Sequence, residues 1–119
     1  VLAFVEAVID KRINEALGFL HEDVLLVDDW RGASGTGRSG VRESVTMLYS
    51  RHTLQFNTVV NMQIFEGKDD VLVQLFMFTR LSGIGSVPSA WKIRVHEGSG
   101  GVWEIYSIDA VEIGTRSFR

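Results

Sequence analysis

Up to Tyr49 the apolar residues of this 119-residue chain recur every third or fourth position, and from Leu54 to its end they recur every second one. That change of period limits the fold more than any other feature, because the two repeats belong to a helix surface and to a strand. Val1, Phe4, Val5, Val8 and Ile9 form one helical stripe, and Ile13, Ala16, Leu17 and Leu20 repeat it. Two short amphipathic helices are therefore expected over Val1–Arg12 and Ile13–Leu20. His21, Glu22 and Asp23 break the stripe, Val24–Val27 reads as a strand, and Asp28, Asp29 and Trp30 close it. The Gly-rich run from Gly32 to Gly40 reads as a mobile flap. Ser39 can cap a third helix starting near Gly40, with Val41, Val45, Leu48 and Tyr49 on one face and an end near Arg51–His52.

Four strands are expected after it. Phe56, Thr58, Val60, Met62 and Ile64 alternate with polar neighbours, and a turn follows at Gly67–Asp70. Val71–Arg80 is apolar on both faces apart from Gln74, the pattern of a central strand covered on both sides. Ser82–Ser86 reads as a loop and Ser89–His96 as a strand with Trp91, Ile93 and Val95 on one face. The last strand covers Val102–Ile113. Helices followed by consecutive strands give an α+β class: a strongly bent, mostly antiparallel sheet with three helices packed on its concave side, in one domain over residues 1–119. The apolar outer face of Val71–Phe78 predicts a homodimer through the sheet.

Composition narrows the function. With 45% hydrophobic residues the chain can fill a core, and a net charge of −3 without a basic cluster makes nucleic acid an unexpected partner. No apolar run reaches the ~20 residues that span a bilayer. Val1–Ile9 lacks the basic flank and cleavage site of a signal peptide. A chain without cysteine fits a reducing, cytoplasmic setting and has no thiolate chemistry. His21, His52 and His96 are scattered, and no His/Asp/Glu spacing suggests a metal site. Gly35-Thr-Gly-Arg-Ser-Gly40 lacks the lysine of a phosphate loop, and no nucleophile elbow is present, so no metal, nucleotide or redox cofactor is implied.

The order of elements, together with Phe4-Val-Glu-Ala-Val8, Ala16-Leu-Gly-Phe-Leu-His-Glu-Asp-Val24, Asp28–Asp29, Gly37-Arg-Ser-Gly-Val41, Tyr49, Trp91 and Gly101-Val-Trp-Glu-Ile105, resembles the nuclear transport factor 2-like superfamily. This is the cystatin-like cone shared by ketosteroid isomerases and SnoaL-like polyketide cyclases. The resemblance covers nearly the whole chain and implies a pocket between helices and sheet. It puts Asp28 where the isomerases keep their general base. Phe4 stands where they have an oxyanion-stabilising tyrosine, and Ala90 and Trp91 lie nearest their protonated aspartate. Without those donors ketosteroid isomerisation is not expected. The Arg/Asp pair of limonene epoxide hydrolase, another relative in shape, would fall on Leu75 and Met77, so that activity is not expected either.

Asp28 is the first candidate for chemistry. A carboxylate facing an apolar cavity is driven toward the pKa range of a general base or acid, whereas a hydrated strand-ending aspartate is merely structural. Asp109 on the last strand is a second candidate, although a single bulge there would reverse which face looks inward. Gln74 either orients a carbonyl or carboxylate ligand together with Arg80, or pairs across the sheet with Asn57, Asn61 or Gln63. Trp30, Phe4, Phe76, Phe78, Trp91 and Tyr106 offer aromatic walls for a small apolar or amphipathic molecule. The favoured expectation is a pocket large enough for several rings. A non-catalytic scaffold would instead fill that space with Phe4, Phe76, Phe78 and Trp91.

Overall fold

The computed structural model describes residues 1–28, 35–51, 53–68, 70–114 and 116–117; for Asp28, Phe56, Asn57, Ser99, Arg116 and Ser117 the description is of the backbone alone. Helix α1 (Leu2–Ile9) buries Phe4, Val5 and Ala7, and α2 (Ile13–Gly18) buries Ala16 and Leu17. The break between them is a helix-ending motif in which Lys11, at φ 59°, turns the chain. The amides of Lys11 and Arg12 then return to the carbonyls of Val8 and Ala7. The third helix, α3 (Gly37–Arg51), buries Val41, Ser44 and Val45. Tyr49 donates its hydroxyl to the Val8 carbonyl, which ties α3 to the end of α1.

The strands are β1 (Leu20–Asp28), β2 (Gly35–Thr36), β3 (Leu54–Glu66), β4 (Asp70–Leu81), β5 (Gly85–Glu97), β6 (Trp103–Ile113) and β7 (Arg116–Ser117). They form one sheet in the order β2-β1-β6-β5-β4-β3, with β7 on β6. All pairs are antiparallel except β1 on β6, which is parallel and sets Leu20 beside Ile105 and Leu26 beside Ile108. The fold is thus the α+β arrangement expected, a curled sheet carrying its helices on one face.

Local differences from the expectations have physical causes. Strand β1 begins at Leu20, because His21, Glu22 and Asp23 lie in an irregular stretch where the register with β6 shifts. Polar residues there do not end the strand. Strand β5 starts at Gly85, where Gly83 and Gly85 adopt positive φ and make a tight β4–β5 connection. Part of the presumed flap is ordered structure: Gly35–Thr36 is a strand, and α3 already begins at Gly37. Gly37 has φ 75°, and a Cβ there would meet the Glu22 carbonyl at 3.4 Å, so the residue suits this close entry into the helix.

The core is continuous between helices and sheet. Leu20, Val24, Leu75 and Ala110 are fully or almost fully buried, and Ile93, Ile105 and Ile108 pack beside them. Among the described residues, no helix is long and apolar enough to cross a membrane.

Candidate functional site

Between the helices and the inner face of the sheet lies a cavity of about 170 Å³. Its roof is Phe4, Val5, Val8 and Ile9 of α1 with Val41, Ser44, Val45 and Leu48 of α3. Its floor comes from alternate positions of adjacent strands, which share one face of a sheet. These are Leu75, Met77, Thr79 and Leu81 on β4, Val87, Ser89, Trp91 and Ile93 on β5, and Ile108 and Ile113 on β6, with Leu26 of β1 at the side. Its lining is apolar apart from the hydroxyls of Ser44, Thr79 and Ser89 and the indole of Trp91. The indole N–H of Trp91 is buried and meets no hydrogen-bond acceptor among the described residues.

The volume is close to that of a cavity known to hold one benzene, ~150 Å³, and below the ~300 Å³ at which pockets for larger ligands begin. One ring fits, not the several rings expected. Nor is the space filled by the four aromatics named for a scaffold. Phe4 and Trp91 are walls of the cavity, while Phe76 and Phe78 lie on the opposite, outer face of the sheet, 40% and 43% exposed.

The other candidates separate in the same way. Gln74 sits on the outer face opposite Gln63 and Lys92, and Arg80 is exposed and donates Nε to Gln55 Oε1 at 3.1 Å. Asp109 pairs with Lys92, on the face away from Trp91 and Ile93, and does not line the cavity. Tyr106 donates to Asp70 Oδ2 and stacks on His96 at 4.6 Å between ring centroids. His96 in turn meets the edge of His21 at 5.7 Å, so two of the histidines that look scattered in sequence come together at one end of the outer face. Asp28 is described through its backbone, which lies beside that of Asp109. Its side chain, and Trp30 and His52, lie outside the described residues. Among the described residues no group of His, Asp and Glu could hold a metal ion.

No protein-family model matches the sequence, and no curated protein does. Solved structures match its shape. One is a protein of unknown function with a cystatin-like fold from Nostoc punctiforme PCC 73102, 13% identical over 97% of this chain and 86% of that one, with a TM-score of 0.78. Another is a nuclear transport factor 2-like protein of unknown function from Pseudomonas putida KT2440, 14% identical over 90% and 77%, with a TM-score of 0.77. A candidate ketosteroid isomerase from Shewanella frigidimarina NCIMB 400 is 12% identical over 90% and 87%, with a TM-score of 0.75. The chain has the nuclear transport factor 2-like fold.

Within this nuclear transport factor 2-like cone, the alternation along β6 is broken twice. Val95 pairs with Ile105 and Arg94 with Ser107, which leaves Tyr106 as an extra residue; Trp91 pairs with Ala110 and Ala90 with Glu112, which leaves Val111 as another. The first bulge puts Ile105 and Ile108 on the same inner face and sends Asp109 outward. On β4, where both faces are apolar, sequence alternation defines two sets but not which one is inside. The inner set proved to be Leu75, Met77, Thr79 and Leu81, and the amide of Gln74 and the guanidinium of Arg80 in the other set were the available sign that it faces outward.

Proposed function

We propose that the chain is a small-molecule pocket protein whose ligand is an apolar or amphipathic compound of about one ring, held between helices and sheet. The observation that supports this is the cavity itself. Its walls come from two helices, α1 and α3, and five strands, β1, β4, β5 and β6 together with β3 through Leu54. A core serving only as scaffold gains by closing such space, since interiors pack to crystal-like density.

Asp28 is the residue we assign as general base. Leu26, two positions earlier on β1, lines the cavity, and the register with β6 shifts between Leu26 and Asp28. A carboxylate in that position could take a proton from a bound molecule or from water. Phe4, Leu75 and Met77 contribute only apolar surface. This argues against both the isomerase and the epoxide hydrolase chemistry of similar cones. A cytoplasmic setting fits a chain without cysteine.

The test is thermal unfolding with a panel of single-ring compounds, which should raise Tm in a concentration-dependent way. A panel without effect would favour the second reading, a non-catalytic scaffold. Asp28→Asn should stay within about 0.5 kcal/mol of the parent in stability and abolish turnover of any substrate found; retained turnover would remove Asp28 from the mechanism.

A separate observation, the outer face of the sheet, bears on assembly. Phe76 and Phe78 of β4 are solvent-exposed there, and Phe65 is exposed farther along the same face, beyond the Gln63–Gln74 pair. We propose that a second copy of the chain covers this face, an arrangement compatible with either a catalytic or a scaffolding cone.

A further inference from the structure

From Thr58 to Glu66 every residue of β3 is exposed, whichever face of the sheet it lies on. Val59, Val60, Met62, Ile64 and Phe65 are among them, Ile64 at 57% and Phe65 at 50%. The strand is also last in the sheet order, so among the described residues β4 alone pairs with it. The N–H and C=O groups along its far edge are left for another strand to meet. Such edges are commonly blunted by charge, by proline or by short length. β3 runs over 13 residues, and from Leu54 to Phe65 it has no charged residue and no proline. It has a bulge at Val60, but Asn61–Glu66 beyond it stays in regular register with β4.

The backbone chemistry of an edge selects an extended strand as occupant. A strand without charge meets no like charge in its own copy, which makes a second copy of this chain the fitting partner. Register narrows the arrangement. Met62 and Ile64 lie opposite Leu75 and Val73 on the inner face, while Asn61, Gln63 and Phe65 lie opposite Phe76, Gln74 and Leu72 on the outer one. An antiparallel pair about a two-fold axis keeps the faces matched only when the axis passes through a residue position. An axis at Met62 draws in the bulged Val60, and one at Ile64 sets Met62 against Glu66. An axis at Gln63 sets Met62 of one copy against Ile64 of the other, twice over. We infer that the free edge of β3 pairs with the same edge of a second copy, antiparallel and centred on Gln63. A ladder over Asn61–Phe65 is smaller than the ~1,200 Å² at which stable interfaces begin, so it forms at roughly 100 µM and above. It is separate from the dimer proposed through the outer face.

Sedimentation velocity from micromolar to about 1 mM tests this on the parent, Phe76→Glu and Ile64→Lys. The parent should pass from dimer to tetramer, and Phe76→Glu from monomer to dimer over the same range. Ile64→Lys, at an exposed position, should keep the fold by circular dichroism and weaken that step about tenfold or more. Because the chain has no cysteine, cross-linking reads the register directly. In the Phe76→Glu background, Gln63→Cys should oxidise to a disulfide-linked dimer far faster than Thr58→Cys, whose two copies would stand far apart along the ladder. A Phe76→Glu protein monomeric throughout, with both cysteines linking equally slowly, would overturn the inference and leave the outer-face dimer untouched. Association of Phe76→Glu that Ile64→Lys does not weaken would overturn it as well. A micromolar dimer that Ile64→Lys dissociates and Phe76→Glu does not would uphold the edge and bring down the face.

Discussion

Arg38 holds the carbonyl oxygen of Leu20 with two hydrogen bonds, from Nε at 3.1 Å and from Nη2 at 2.7 Å. Leu20 opens β1, just before the stretch where register with β6 shifts, and Arg38 stands in the first turn of α3 directly after Gly37. The guanidinium thus fastens the entry of one element to the start of another. Arg38→Ala should cost about 1–3 kcal/mol, the price of a partly buried carbonyl losing a charged donor. Arg38→Lys should restore only part of it, because a point charge cannot reproduce the two-point contact. Urea unfolding of the three proteins with a common m-value checks this.

Leu75 has no exposed surface and forms the cavity floor in the middle of β4. Leu75→Ala should lower stability by about 3 kcal/mol or more through lost burial and added void. Leu75→Met, close in volume, should stay within about 1.5 kcal/mol. Chemical denaturation distinguishes the two outcomes.

Tyr106 donates to Asp70, and this hydrogen bond, then burial, hold its phenol above the ordinary value despite the opposing charge of Arg94. The folded state keeps its proton to higher pH than the unfolded chain. The stability so contributed is fully present below the unfolded value of about 10 and is lost as pH rises through the raised one. Burial raises Tyr49 as well. Absorbance titration at alkaline pH should show both tyrosines ionising later than in the unfolded chain, and Tyr106→Phe should flatten the alkaline fall in stability by the share that belongs to this residue.

Phe76 lies between Asn61 and Ala90 on the outer face of the sheet and is 40% exposed in the single chain. Light scattering at micromolar concentration should find the parent as a dimer. Phe76→Glu should weaken self-association at least about tenfold while circular dichroism stays unchanged, since truncating a central apolar anchor typically costs ~2 kcal/mol. A monomeric parent would refute the covered face.

Much of this cone could be read from sequence wherever periodicity carried the information. The strands β3 to β6 follow from alternation, and α1 and α3 from stripes such as Val41, Val45, Leu48 and Tyr49, because burial on one face imposes those repeats. Phe4 and Trp91 were identified as wall residues for the same reason. Pairing between distant strands leaves no such mark. Nothing local in Leu20–Asp28 shows that it lies parallel to β6, and nothing in Trp103–Ile113 shows the bulge at Tyr106 that reverses the face of Asp109. Phe76, Phe78, Gln74 and Arg80 were placed at the ligand because β4 is apolar on both sides, and alternation alone does not say which side faces the helices.

The parallel junction of β1 with β6 also governs when the molecule can form. During translation the ribosome makes Leu20 long before Ile105, the residue beside it in the finished sheet. Until β6 has emerged, β1 lacks its parallel neighbour in the sheet. Pairing of β1 with β6 is therefore a contact of large sequence separation, the kind whose loop-closure entropy slows folding.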